Sequence, residues 1–195
     1  STFAFIEEAF GAWHVKGGLG ALARTLYERC IELGVTFHFD SSVRKVRVTS
    51  GRAHGVELSD GRVIDAENVV ANCDATYLYS TMVDSPRARS ERRKLAAAEP
   101  SFAGFSILLG LRKSELTLAH HTVLFPTNYD QEFSDLFTHR RVCSDPTIYI
   151  CAPKDSAMSP DERHESYSIL VNAPRHGDVD WSDRTFANAY AEKIL

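Results

Sequence analysis

The residues best suited to chemistry lie in Lys16-Gly-Gly-Leu-Gly-Ala-Leu-Ala-Arg24. There Gly18-x-Gly20-x-x-Ala23 reproduces, with alanine in the last place, the spacing that seats a dinucleotide pyrophosphate on the amides of a helix N-terminus. Asp40 stands twenty residues beyond Gly20, where a ribose-binding acid belongs. That chemistry also requires a buried strand to deliver the chain into the turn, and such strands read as short apolar runs. The preceding residues, Phe5 to Lys16, break any such run with two acids, a glycine, a histidine and a lysine, so at most Ala12 to Val15 can extend. We therefore read Gly17, Gly18 and Gly20 as a tight helix start, in which small residues allow close backbone packing, rather than as a complete pyrophosphate grip.

His120-His121 is the other conspicuous pair. Neighbours on a strand point to opposite faces, and no acid or cysteine stands at ligand spacing beside them in the sequence, so the pair reads as one buried and one exposed histidine and no metal is expected. Cys30, Cys73, Cys143 and Cys151 are too widely spaced to signal a zinc site or a dense disulfide framework. The sequence carries no Gly-x-Ser-x-Gly elbow and no recognisable catalytic cysteine motif, and nothing marks two acids as a working pair. No catalytic side chain is assigned. The basic run Arg87, Arg89, Arg92, Arg93 and Lys94 reads as a solvated helix face that contributes little to membrane binding, because surface charges are screened within a Debye length.

The elements that must position these residues follow from patterning. With 195 residues, 44% hydrophobic and 25% charged, the chain has an ordinary globular composition and enough length for one large domain or two lobes. Its net charge of −4 gives no basic excess for neutralising phosphates, so nucleic acid is excluded as an expected partner. Apolar positions from Leu19 to Leu33 follow the helical period and predict a core-facing helix stopped by Gly34. Strands are predicted at Val35–Asp40, Val43–Thr49, Arg52–Leu58, Arg62–Asp65 and Asn68–Asn72, with Ser50-Gly51 and Asp60-Gly61 as hairpin turns and Val46 and Val48 on one face of the meander.

Asp74 is placed to cap a helix from Ala75 to Met82, and a short basic helix should follow and stop by Pro100. Further strands are expected at Phe102–Leu111, Thr122–Phe125, Thr147–Cys151 and Tyr167–Ala173. Helices are expected over Asp130–Thr138 and from Asp183 onward, with a polar loop from Lys154 to Glu165. The fold class is α/β in the mixed α+β sense, with a lobe boundary near Cys73 to Tyr77 that divides residues 1–75 from 76–195. The longest strongly apolar stretch, Phe102 to Leu111, is too short to span a bilayer, and a cytoplasmic location is expected, with peripheral membrane association.

The order Gly17-Gly-Leu-Gly-Ala-Leu22, helix, Val43-x-x-Val46, Gly55-Val-x-Leu-x-Asp-Gly61 and Val69-Val-Ala-Asn-Cys-Asp74 resembles the later FAD-domain segment of the phytoene desaturase family, within the amine-oxidase-like flavoproteins. The blocks Leu118-Ala-His-His-Thr-Val-Leu-Phe125, Tyr129-Asp-Gln-Glu-Phe133, Asp145-Pro-Thr-Ile-Tyr-Ile-Cys-Ala152 and Leu170-Val-Asn-Ala-Pro174 are similar to that family's substrate-lobe segments.

The resemblance implies a piece of a two-lobed FAD-linked oxidoreductase: a carotenoid desaturase that introduces C=C bonds into an apolar polyene at a membrane surface. By the same resemblance, residues 1–75 would be a partial FAD-binding domain and 76–195 a partial substrate lobe. Val43 matches the position whose backbone meets the adenine, and Ala71 and Asn72 match a strand end close to the cofactor. The pyrophosphate-gripping strand–glycine–helix would lie outside this chain, so FAD binding is expected of the full-length parent and not of this piece, which should self-associate through uncovered apolar surface. Other amine-oxidase-like flavoenzymes acting on an apolar substrate, and a non-catalytic lipid-binding module, are the alternatives.

Overall fold

In the computed structural model the described residues are 2–113, 118–159 and 161–195. Pro160, within the expected polar loop, lies outside them. In chain order the elements are α1 (Thr2–Phe10), α2 (Gly18–Glu32), β1 (Val43–Thr49), β2 (Arg52–Leu58), β3 (Val63–Asp65), α3 (Ala75–Tyr77) and α4 (Pro86–Ala96). They continue as β4 (Ala103–Arg112), β5 (His121–Leu124), α5 (Tyr129–Phe133), β6 (Ile148–Cys151), β7 (His164–Ala173) and α6 (Arg184–Ile194). A π-helical turn extends α3 over Leu78–Met82 and another extends α5 over Ser134–Thr138. The chain forms two compact units: Gly34–Pro100, and Ser1–Leu33 together with Ser101–Leu195.

The smaller unit is built on an antiparallel meander in the order β1-β2-β3. Its first turn has positive φ at both Ser50 (51°) and Gly51 (77°), the backbone that the twist of a tight hairpin demands. Gly55 is required where β2 meets β3, because its φ is 145° and a Cβ there would stand 2.3 Å from the Ile64 carbonyl oxygen. Asp74 caps α3 by accepting from the Tyr77 amide at 3.0 Å. Ser85 caps α4, accepting from the Ala88 amide at 3.1 Å, with Pro86 at the first helical position where its missing N–H costs nothing. On α4, Arg87, Arg89, Arg93 and Lys94 of the basic run are exposed and Arg92 is half-buried, and Lys94 bonds Glu91 at 2.7 Å.

Two expected strands do not form here. Val35–Asp40 and Asn68–Asn72 carry no strand, and Val70 is 94% exposed. An apolar run becomes a strand only where a neighbouring strand supplies the matching N–H and C=O groups, and the three-stranded meander of this unit ends at β1 and β3.

The larger unit holds a four-stranded antiparallel sheet in the order β4-β7-β6-β5. One face is covered by α6: Ile169 and Val171 pack with Tyr190 and Ile194, joined by Phe105, Ile107, Leu109, Ile148, Ile150 and Trp181. Full burial of each aliphatic side chain contributes about 1.5–3 kcal/mol, which is what fixes the register of these strands. Asp183 caps α6 through the Thr185 and Phe186 amides at 2.9 and 3.3 Å.

The segment before the glycines opens with a helix, α1, for which no sequence expectation was made, and Ala12–Val15, the stretch that could extend, carries no strand. The expected core-facing helix, α2, forms from Gly18 but buries only that glycine: Leu19 is 76% exposed, and Leu22, Leu26 and Ile31 are exposed too. The periodicity was that of an amphipathic helix, yet no described element covers its apolar side.

Candidate functional site

At the start of α2 the geometry settles what the glycines do. Gly17 has φ 80° and donates its amide to the Asp155 carboxylate at 2.5 Å, while the Gly18 amide donates to the Val15 carbonyl at 2.8 Å. A Cβ on Gly18 would lie 2.9 Å from the Met158 methyl. The anion at this helix N-terminus is therefore the protein's own Asp155, which also accepts from the Ala157 amide at 2.9 Å and contacts His14 Nε2 at 3.2 Å.

Three donors, the Gly17 amide foremost, then the Ala157 amide and His14, hold the Asp155 carboxyl down to about 2 from its ordinary 3.8. A depressed carboxyl stabilises the fold above its unfolded-state value, and the contribution is lost as pH falls through the folded value. The stability difference between the wild-type chain and Asp155→Asn should thus be constant above pH 4 and shrink between 3.8 and about 2. Thermal unfolding across that window checks it.

In the smaller unit, a groove of about 580 Å³ is lined by Val46, Val48 and Ala53 of the hairpin, by Val69 and Ala71 of the strand-free segment, and by Leu78. Of the three residues expected near the cofactor, Ala71 reaches this groove. Val43 does not: it opens β1 opposite Leu58, half-buried. Asn72 is exposed beyond the lining. Its lining continues through the hairpin-turn Gly51 and through Ser85, Arg87 and Ala88 at the start of α4. The groove could accept a flat apolar or heteroaromatic group such as the adenosine end of a flavin nucleotide.

The second surface is the side of the four-stranded sheet opposite α6. Paired residues share a face, so the register places Gly104, Ser106, Leu108 and Gly110 of β4 with Asn172, Leu170, Ser168 and Ser166 of β7. Tyr149 and Cys151 of β6 and Val123 and His121 of β5 continue it. Leu108 is 80% exposed, while at the Asn172 end the face is met by α5, whose Glu132 carboxylate accepts from the Asn172 side chain at 3.0 Å. Leu170 leans over Gly104, where a Cβ would come within 3.0 Å of its methyl. The result is a floor kept low by small residues, in which Leu108, Leu170 and Val123 supply hydrocarbon and Ser106, Ser166, Ser168, Asn172, Tyr149 and His121 supply polar groups.

At one end of this floor the histidine reading needs correction. His120 lies in a bend just before β5, so strand alternation does not separate it from His121; the two rings sit 4.5 Å apart, one half-buried and one exposed. His121 Nδ1 is 2.8 Å from the Tyr149 hydroxyl, and His14 packs edge-on to His120 at 4.7 Å. Burial and the neighbouring His121, His14 and Lys154 hold His120 below the ordinary histidine range. The roles of Asp155 and Tyr149 carried no sequence signal, since each acts on a residue that is near only after the chain has folded.

The family described as "Flavin containing amine oxidoreductase" matches residues 3–109. The zeta-carotene-forming phytoene desaturase of Myxococcus xanthus is 34% identical over 179 residues, covering 91% of this chain and 34% of that protein. All-trans-zeta-carotene desaturase of the same organism is 35% identical, covering 93% and 35%, and 4,4'-diapolycopene oxygenase of Methylomonas sp is 34% identical, covering 90% and 35%. The chain thus spans about a third of the length of these curated relatives. With more than half of its residues matched, the chain belongs to the flavin containing amine oxidoreductase family, and the relatives it resembles include carotenoid desaturases.

Proposed function

We propose that this chain is part of an FAD-dependent desaturase that introduces C=C bonds into a long apolar polyene, with residues 1–75 on the cofactor side and 76–195 on the substrate side. The observation that carries the reading is the sequence likeness to carotenoid desaturases along nine-tenths of the chain. The exposed Leu108, Leu170 and Val123, which share one face of the four-stranded sheet, support it.

Flavin, when bound by the whole protein, supplies a hydride acceptor. The chain's own residues bind and orient. Leu108, Leu170 and Val123 present hydrocarbon to hydrocarbon, and the glycines and serines of β4 and β7 keep the floor low enough for an extended chain to lie flat. Displacing water from that floor gains about 25 cal/mol per Å² of apolar surface, which is the main source of affinity open to a substrate with no polar handle. Val43 and Asn72 remain proposed adenosine contacts beside Ala71. The membrane enters as the source of the polyene; among the described residues no helix is long and apolar enough to cross one. The exposed apolar side of α2 is proposed to pack on further chain in the whole protein, or on a second copy when this chain stands alone.

The test is an assay of the whole protein with phytoene, neurosporene and hydroxylated carotenes, following the red shift that each added double bond produces. A shift with at least one substrate is expected. No absorbance change with any polyene, in a preparation that holds flavin, would contradict the proposal.

A further inference from the structure

The cluster at the end of the floor has a composition that neither cofactor nor substrate binding requires. One nitrogen each from His120 and His121 and the sulfur of Cys151 lie within 4.8 Å of one another. Cys151 faces His121 directly across the β5–β6 pair, so two of the three donors are fixed by sheet register, and the third is carried by the bend that leads into β5. Imidazole and thiolate are the donors that select borderline and soft ions over magnesium or calcium.

We propose that His120, His121 and Cys151 form a binding site for a divalent ion of the zinc class, with water in the fourth position. Tetrahedral zinc, with bonds of about 2.0 Å to nitrogen and 2.3 Å to sulfur, needs its ligand atoms roughly 3.3–3.8 Å apart, so closure requires side-chain movements of about 1 Å. The neighbours favour it. Tyr149 lies 2.8 Å from His121 Nδ1, and when that nitrogen carries the proton and donates to the hydroxyl, Nε2 keeps its lone pair for the cation. The Lys154 amide approaches His120 Nδ1 only at 3.5 Å, a contact weak enough to give way to a metal bond. Binding forms a metal–sulfur bond, releases the thiol proton to solvent and moves no electrons. The site depends on none of the flavin chemistry.

Cobalt(II), a spectroscopically visible substitute for zinc, is the probe, titrated into the 195-residue chain. One equivalent should bind with a thiolate-to-cobalt charge-transfer absorption that zinc then bleaches. Cys151→Ser should abolish that absorption and a Cys30→Ser/Cys73→Ser variant should retain it. His121→Ala, at an exposed position, should weaken binding more than Tyr149→Phe, for which loss of a supporting hydrogen bond costs about 10- to 100-fold. Far-ultraviolet circular dichroism confirms that each variant keeps its fold. No charge-transfer absorption in the wild-type chain, its survival in Cys151→Ser, or unchanged affinity in His121→Ala would overturn the proposal.

Discussion

Replacing Glu132 by alanine is expected to destabilise the sheet unit by about 3 kcal/mol or more, since each buried donor left without a partner costs about 1–3 kcal/mol. Glu132 is fully buried in α5, yet its carboxylate serves three groups. One oxygen accepts from the Thr147 amide at 3.0 Å and the Thr147 hydroxyl at 2.5 Å, and the other from the Asn172 side chain at 3.0 Å. The contacts join a helix, the lead into β6 and the end of β7. Alanine would strand all three donors and leave a void, whereas Glu132→Gln keeps the shape and one acceptor oxygen. Urea unfolding of the three forms checks this. A midpoint for the alanine variant equal to wild type would show that water replaces the carboxylate without cost.

The second large effect concerns flavin. The 195-residue chain alone is expected to purify colourless and to bind FAD with a Kd no better than about 1 mM, equivalent to about −4 kcal/mol. A pyrophosphate requires free amides, and at the glycine-rich helix start the two leading ones are engaged, Gly17 by Asp155 and Gly18 by Val15. The Asp155 carboxylate would also repel a second anion, and like charges at about 4 Å cost about 1–4 kcal/mol at surface dielectric values. Ala71 and its groove could then offer adenosine contacts. An absorbance spectrum and a flavin-fluorescence titration decide the matter. A yellow preparation with near-stoichiometric flavin would return Gly18–Ala23 to consideration as a pyrophosphate site.

What the sequence made legible was local. Asp74, Ser85 and Asp183 cap the helices that their spacing announces, because a cap depends on residues within one turn. Ser50-Gly51 makes its turn, and the alternation along Phe102–Leu111 and Tyr167–Ala173 gives the two long strands β4 and β7. What it hid was pairing at a distance. Val69-Val-Ala reads as a strand by composition but carries none, and His120 escapes the alternation rule because the strand begins one residue later. Asp155 reaches Gly17 across 138 residues, so a motif that read as half of a nucleotide grip is completed by the chain's own carboxylate. The candidate floor was legible only as apolar strands; which side is covered depends on α6, and no periodicity within a strand says which face a distant helix will choose.

We propose that the face of the four-stranded sheet bearing Leu108 carries the polyene. The direct measurement is phytoene turnover by the whole protein with Leu108→Arg, with bound flavin quantified in the same sample. Leu108 stands 80% exposed near the middle of the floor, opposite Ser168, so the substitution removes no core contact. A guanidinium pressed against hydrocarbon must be desolvated without a partner, and even about 1.4 kcal/mol of that penalty is tenfold in affinity. Turnover reduced more than about tenfold with flavin content unchanged is the predicted result, and Leu108→Met should restore it. Wild-type turnover by the arginine variant would place the substrate elsewhere and contradict the account.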